Sequence, residues 1–242
     1  MKKRQNNVHS KLGKGGGKGA NFWDKEYKNS DHLALSTNPS EDLQKFCRFL
    51  ERGYEGEFLN PNESVLDLGC GNGRNLIYLS NNFGMNGFGY DISSEAISQA
   101  KKLSVGLPIE YETRSIASEI PLPDESQTIV LDMMTSHFLV KEEREKLLNE
   151  IARVLKPGGW FFYKTFLLDE DKHAKRLISD HPAEEPGSYI HPEIGVAEHV
   201  FTVEEIKNDL KDNFIIHKLH KSHGHLGSKA KRRSISVYAE KN

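Results

Sequence analysis

Apolar positions along this chain change their period several times. In "NPSEDLQKFCRFLERG", Leu43, Phe46, Cys47 and Leu50 recur at three and four, one helical stripe, with Ser40 expected as N-cap and Gly53 as the stop. From Ser64 onward, short apolar runs alternate with amphipathic ones. "SVLDLG", "GFGYDIS", "IEYETRS", "QTIVLDMM" and "WFFYKTFLL" read as strands. "GRNLIYLSNNFG", "SEAISQAKKLSVG" (capped by Ser93 or Ser94) and "KEEREKLLNEIARVLKPGG" read as helices. Such alternation predicts a Rossmann-like, doubly wound, mostly parallel sheet with helices on both faces. The last third behaves differently. Residues 169–200 are polar and proline-broken, with one short helix near 172–179. "TVEEIKNDLKDN" opens on a capping box, Thr202 with Glu205. "FIIHKLHKSH" and "RRSISVYAEK" lie too close together for a helical crossover, so they predict an antiparallel hairpin at the end of a seven-stranded sheet.

The 242 residues suffice for one large core, and no repeat or second domain is visible. The pattern predicts a disordered basic tail over 1–20 and a single domain over 21–242. That domain includes a helical N-terminal segment (21–55) and a lid-like insert (169–200). Trp23 and Tyr27, four apart, share one helical face. No apolar run approaches the roughly 20 residues that span a bilayer, so no membrane partner is expected. Two cysteines, Cys47 and Cys70, make no disulfide framework and suit a reducing, cytoplasmic setting. Charge changes the picture at the ends. Residues 1–20 hold six Lys/Arg and no acid, and residues 217–242 hold seven Lys/Arg against one acid. The basic stretches 2–18 and 218–233 could attract RNA, or could be merely solvated. His217, His220, His223 and His225 do not make a convincing metal set, since strand alternation separates the first two and no Cys-x-x-Cys exists.

"SVLDLGCGNGRN" carries the chemistry. Gly69, Gly71 and Gly73 give G-x-G-x-G, and Arg74 stands where a dinucleotide fingerprint needs its third glycine. No Lys-Ser or Lys-Thr completes a phosphate loop. Asp67 would repel phosphate but suits an amino-bearing or cationic ligand. Asp91, ending the second strand, can accept both hydroxyls of a ribose. Two carboxylates around a phosphate-free turn favour a nucleoside carrying positive charge.

"VLDLGCGNGRN", "GYDIS" and "LKPGGWFFYKT", in this order, resemble the class I S-adenosylmethionine-dependent methyltransferases, over roughly Glu41 to Asn242. The resemblance implies S-adenosyl-L-methionine as cofactor. It implies that Asp67, Gly69, Cys70, Gly71 and Gly73 line its methionine part, that Asp91 binds the ribose, and that Ile92 packs on the adenine. Many members have Gly-Asp-Ala after strand three. Here Ser115-Ile116-Ala117 stands instead, so Ser115 and Ile116 become the adenine-edge candidates. Trp23 and Tyr27 are similar to a segment that closes over the cofactor in some members.

The acceptor is less constrained. Asp132, ending strand four, and His137 just beyond it are the catalytic candidates, Asp132 also as a carboxylate near the cofactor. Tyr189 and His191 in the insert could touch an acceptor. The Asn/Asp-Pro-Pro-Tyr/Phe motif of amino-methylating DNA and protein enzymes is replaced by "DMMT". The expectation is a methyltransferase acting on a small molecule. The alternatives are a transfer or ribosomal RNA methyltransferase using the basic termini, and a non-catalytic scaffold of the same fold.

Overall fold

A computed structural model describes residues 16–29, 35–193, 195–222 and 232–242. Seven strands form one sheet: β1 (Ser64–Leu68), β2 (Asn86–Asp91), β3 (Ile109–Thr113), β4 (Gln127–Met133), β5 (Leu155–Phe166), β8 (Phe214–Lys221) and β9 (Ser234–Lys241). Their order is β3-β2-β1-β4-β5-β9-β8. The first five are parallel, while β9 runs antiparallel between β5 and β8, as the short connection required.

The continuous apolar strands follow from burial on both faces. Val65, Ile129, Leu131, Trp160 and Phe162 meet α2 (Glu41–Tyr54), α3 (Arg74–Phe83) and α4 (Ser94–Leu103) in one core. Leu66, Leu68, Val130, Phe161, Tyr163 and Val237 meet α5 (Lys141–Val154) and α7 (Val203–Leu210) in another. Because alternate residues face opposite ways, Asp67, paired in register with Leu131, lies on the first face, and Asp132 lies on the second.

Local signals were met with some exceptions. Ser93 caps α4 by accepting from the Ala96 amide at 3.1 Å, and Thr202 with Glu205 forms the capping box of α7. Ser40 makes no side-chain cap; its amide donates to Asn75 Oδ1 at 3.1 Å. Helix α2 also runs through Gly53 to Tyr54 and turns on Glu55 at φ 46°. Its stripe of Leu43, Phe46, Cys47 and Leu50 is fully packed, which outweighs the roughly 1 kcal/mol that a helical glycine costs.

Two elements depart from expectation. Helix α1 (Gly16–Asn29) begins inside the stretch read as a tail, because tertiary contacts with α4 hold it. Residues 1–15, the rest of that stretch, lie outside the described residues. The insert is more ordered than a loop: α6 (Lys172–Asp180) is followed by a two-stranded ribbon, β6 (Ser188–Ile190) with β7 (Ala197–His199). Side-chain pairing across the ribbon, absent from any local propensity, holds it.

Candidate functional site

The carboxyl ends of β1, β2, β4 and β5 converge on the glycine turn. The turn is stapled to β2: the Gly71 amide donates to Asp91 Oδ2 at 2.9 Å, and the Ser93 amide donates to Asp91 Oδ1 at 2.8 Å. Burial raises the Asp91 carboxyl, while these amide bonds from Ser93 and Gly71 oppose the rise. Each carboxylate oxygen keeps one acceptor direction for a ligand. Gly69 and Gly71 have φ of 78° and 57°. A Cβ at Gly69 would overlap the Thr135 side chain, and one at Gly71 would overlap the Tyr27 hydroxyl.

Asp67 lies below the turn, 1% exposed, with Oδ2 buried and unpartnered among the described residues. Burial pushes its carboxyl up to about 7; Arg74 opposes this, and Asp91 and Asp132 add to it. Helix α1 covers the turn. Asp24 accepts from Ser93 Oγ at 2.7 Å and the Glu95 amide at 3.1 Å, and Gln99 Nε2 donates to the Tyr27 carbonyl at 2.7 Å. Trp23 meets Phe138 edge-on, ring centres 5.7 Å apart.

Beyond β4, a 3-10 turn, η1 (Ser136–Phe138), brings His137 to the same end. His137 is 2% exposed, and both ring nitrogens are unpartnered among the described residues. Burial pushes it down to about 4; Glu198 opposes this, while Arg232, His199 and Arg144 reinforce it. At neutral pH the ring is uncharged, with one nitrogen able to accept a proton.

The remaining candidates divide. Cys70 is buried beside the turn and its thiol is pushed well up by burial, with Asp91 and Asp67 adding to the shift. Ile92 is half-buried just after Asp91. Ser115 Oγ accepts from the Ala117 amide at 3.2 Å, and Ile116 packs into the core with Tyr90 and Ile120. Asp132 departs from an acceptor-facing role. Its Oδ1 accepts from the Ser136 amide at 3.1 Å, and it lines an inner cavity with Arg144, Tyr163 and Asp209. The alternation of β4 turns it toward α5 and α7, away from Asp67. Tyr189 is fully buried, and its hydroxyl donates to Glu198 at 2.7 Å, so it braces the insert from within. His191 is half-buried and its Nδ1 accepts from the Glu193 amide at 3.3 Å.

Sequence reasoning missed several residues here. Arg144 pairs with Glu185, donates to the Leu139 carbonyl at 2.6 Å, and stacks on Phe201 at 5.3 Å. His199 bridges Ser188 Oγ and Glu205, each at 2.8 Å. Arg232, assigned to a basic surface patch, turns inward to Glu198 and Phe166. Arg233 pairs with Glu170 at 3.1 Å, and Lys218 sits over Phe49 and Tyr238. Residues 223–231 of that patch lie outside the described residues, as do residues 2–15. No periodic signal marks a partner 34 residues away, as Glu198 is from Arg232.

Residues 66–163 match the family model described as a methyltransferase domain. Among curated relatives, a fatty-acid O-methyltransferase of Mycolicibacterium smegmatis is 27% identical over 138 residues, 57% of this chain and 49% of that protein. A phosphoethanolamine N-methyltransferase of Arabidopsis thaliana is 29% identical over 127 residues, 52% of this chain and 24% of that protein. The chain thus spans half or less of the length of these relatives. An S-adenosylmethionine-dependent methyltransferase structure from Methanosarcina mazei superposes with a TM-score of 0.66 at 24% identity, covering 78% of this chain and 97% of that one. A geranyl diphosphate C-methyltransferase from Streptomyces coelicolor, solved with S-adenosyl-L-homocysteine, has a TM-score of 0.64 at 14% identity, covering 96% and 100%. These two structures share the fold.

Proposed function

The chain belongs to the class I S-adenosylmethionine-dependent methyltransferases, whose domain residues 66–163 match, and on that premise we propose that it methylates a small-molecule acceptor. One observation carries the cofactor reading. Asp67 Oδ2 is buried without a donor among the described residues, beside a turn whose Gly71 has no side chain. Such an oxygen is costly to leave alone, and a ligand with an ammonium or sulfonium charge supplies what it lacks. S-adenosylmethionine carries both charges, so the residues present fit it. Asp67, Gly69, Cys70, Gly71 and Gly73 would hold its methionine part. Asp91, with an acceptor direction left on each oxygen, would take the ribose hydroxyls. Ile92, Ser115 and Ile116 would meet the adenine.

The cofactor supplies an already activated methyl group on a cationic sulfur. The chain's own work is positioning and exclusion of water. Tyr27 and Trp23 on α1 cover the turn from outside. His137, uncharged at neutral pH, is placed to receive a proton that an acceptor loses. Asp132 orders η1 and so sets the ring of His137; we assign it positioning. The small-molecule acceptor is supported by the burial of His137 and by the named substrates of the two curated relatives, a fatty acid and phosphoethanolamine. No described helix is long and apolar enough to cross a membrane, and Cys47 and Cys70 are free and buried, which suits a cytoplasmic placement.

Thermal unfolding with S-adenosylhomocysteine tests the reading. Ligand at about 100 times its Kd should add roughly 2.7 kcal/mol. Asp91→Ala should abolish that shift. A wild-type protein that shows no shift up to millimolar ligand would be a scaffold of this fold instead. An RNA acceptor would announce itself by affinity that collapses with rising salt.

A further inference from the structure

Arg232 lies two residues before β9, with its Cζ 3.5 Å from the centre of the Phe166 ring and 5.3 Å from that of Tyr189. Its Nη1 pairs with Glu198, which is 2% exposed and also accepts from the Tyr189 hydroxyl at 2.7 Å. Tyr189 therefore fixes Glu198, and Glu198 fixes the rotation of the guanidinium. The other edge of the fork is open: Nε and Nη2 are both buried and unpartnered among the described residues. These two N–H groups lie side by side in the guanidinium plane, the edge that meets both oxygens of a carboxylate or phosphate.

His137 stands against the same phenylalanine. Its ring meets Phe166 edge-on with centres 5.2 Å apart, and both of its nitrogens also lack partners among the described residues. Four unpartnered polar atoms thus cluster around one aromatic ring. The turn that carries His137 also touches the glycine loop, since Thr135 occupies the space above Gly69. An anion held at Arg232 would lie on the acceptor side of the methyl donor, at the carboxyl ends of β4 and β5.

We propose that Arg232 Nε and Nη2, with His137 across Phe166, form the subsite for an oxyanion, a carboxylate or phosphate, carried by the methyl acceptor. The proposal rests on the methyl-transfer reading, and it assigns to the substrate an acidic handle apart from the atom that is methylated. Arg232 recognises that handle through two parallel hydrogen bonds. Glu198, at the far end of the fork, balances the charge of Arg232 when the acceptor is away.

Hexanoate, hexyl phosphate and neutral hexanol serve as probes, titrated calorimetrically into the full chain saturated with S-adenosylhomocysteine. One or both anions should bind at least tenfold tighter than hexanol, and the preferred anion identifies the handle. Arg232→Lys keeps a charge against Glu198 but removes the two-donor edge. It should weaken the anion at least tenfold and leave S-adenosylhomocysteine affinity unchanged; Arg232→Gln should do the same to the anion. Binding of the anion should also shift the His137 ring resonances. If S-adenosylhomocysteine binds but neither anion does, or both variants hold the anion as well as wild type, the subsite is wrong and the methyltransferase reading stands. If S-adenosylhomocysteine itself fails to bind, that reading falls. The anions are then titrated into the ligand-free protein, where loss of Arg232 dependence would equally overturn the subsite.

Discussion

Asp24 of α1 accepts a 2.7 Å hydrogen bond from Ser93 Oγ, and Ser93 is itself the N-cap of α4. The N-terminal helix is thereby anchored on the start of α4, beside Asp91. Its carboxylate also takes the Glu95 amide at 3.1 Å, where the positive end of the α4 dipole favours it. Asp24→Ala should remove about 1 kcal/mol of anchorage, by the usual worth of a helix cap. Amide exchange across residues 22–28 should accelerate about fivefold, since 1.4 kcal/mol is a factor of ten. Unchanged exchange would mean that Trp23 and Tyr27 hold the helix without it. Partial burial raises the Asp24 pKa, but bonds from Ser93, Glu95 and Ser94 outweigh it and lower it overall. The anchorage is therefore present at neutral pH and lost as pH falls through the lowered value.

Asp67 and His137 should tilt the stability curve in opposite directions. Asp67 is raised to about 7, so the folded state holds a proton that the unfolded state has released, and stability falls as pH rises from about 4 to 7. His137 is lowered to about 4, so the unfolded state holds the extra proton between about 4 and 6.5, and stability rises with pH there. Each effect is on the order of 3 kcal/mol across its window. Compared with wild type by urea unfolding, Asp67→Asn should tilt the slope toward stability rising with pH over that range, and His137→Phe should tilt it toward falling, on top of the falling contribution of buried Asp132, itself raised to about 6. Two variants with the wild-type slope would mean that neither group is buried as described.

Asp67→Asn should also separate stability from ligand binding. Without ligand at about pH 8 it should be more stable than wild type, because a fully buried charge, only partly offset by Arg74, is gone. Its affinity for S-adenosylhomocysteine, measured calorimetrically, should fall at least tenfold, because the ligand's ammonium loses its counter-charge. Tighter binding by the variant would remove Asp67 from the cofactor site.

Arg144 should act through stability. It is 7% exposed, pairs with Glu185, and donates to the Leu139 carbonyl at 2.6 Å. Arg144→Ala leaves the half-buried Glu185 with His199 at 3.3 Å as its remaining partner and takes the donor from the Leu139 carbonyl, and should cost about 2–3 kcal/mol, read from the urea midpoint. Arg144→Met combined with Glu185→Leu should recover most of that loss. A double variant as unstable as the single one would place the worth of Arg144 in its bond to Leu139 instead.

The class of fold, and the meeting of Asp67, the glycine turn and Asp91 at one end of it, were readable in the sequence because their determinants are local. Strand and helix periods fixed the parallel core, and the short link before "RRSISVYAEK" fixed β8 and β9 as an antiparallel pair. The spacing of Asp67, Gly69, Gly71 and Asp91 sufficed to bring them together, because a turn and the strand beside it form one compact unit. Tertiary structure decided the rest. Helix α1 forms over glycines because Asp24 finds Ser93, 69 residues away. The polar insert becomes a ribbon because Tyr189, Glu198 and Arg232 meet in its interior. Asp132 faces α5 and α7, and Arg232 leaves the surface for Phe166. Asp24 and Arg232 were each placed by a partner distant in sequence, and hydrophobic periodicity reports only which face an element buries, never which charge waits on the other side.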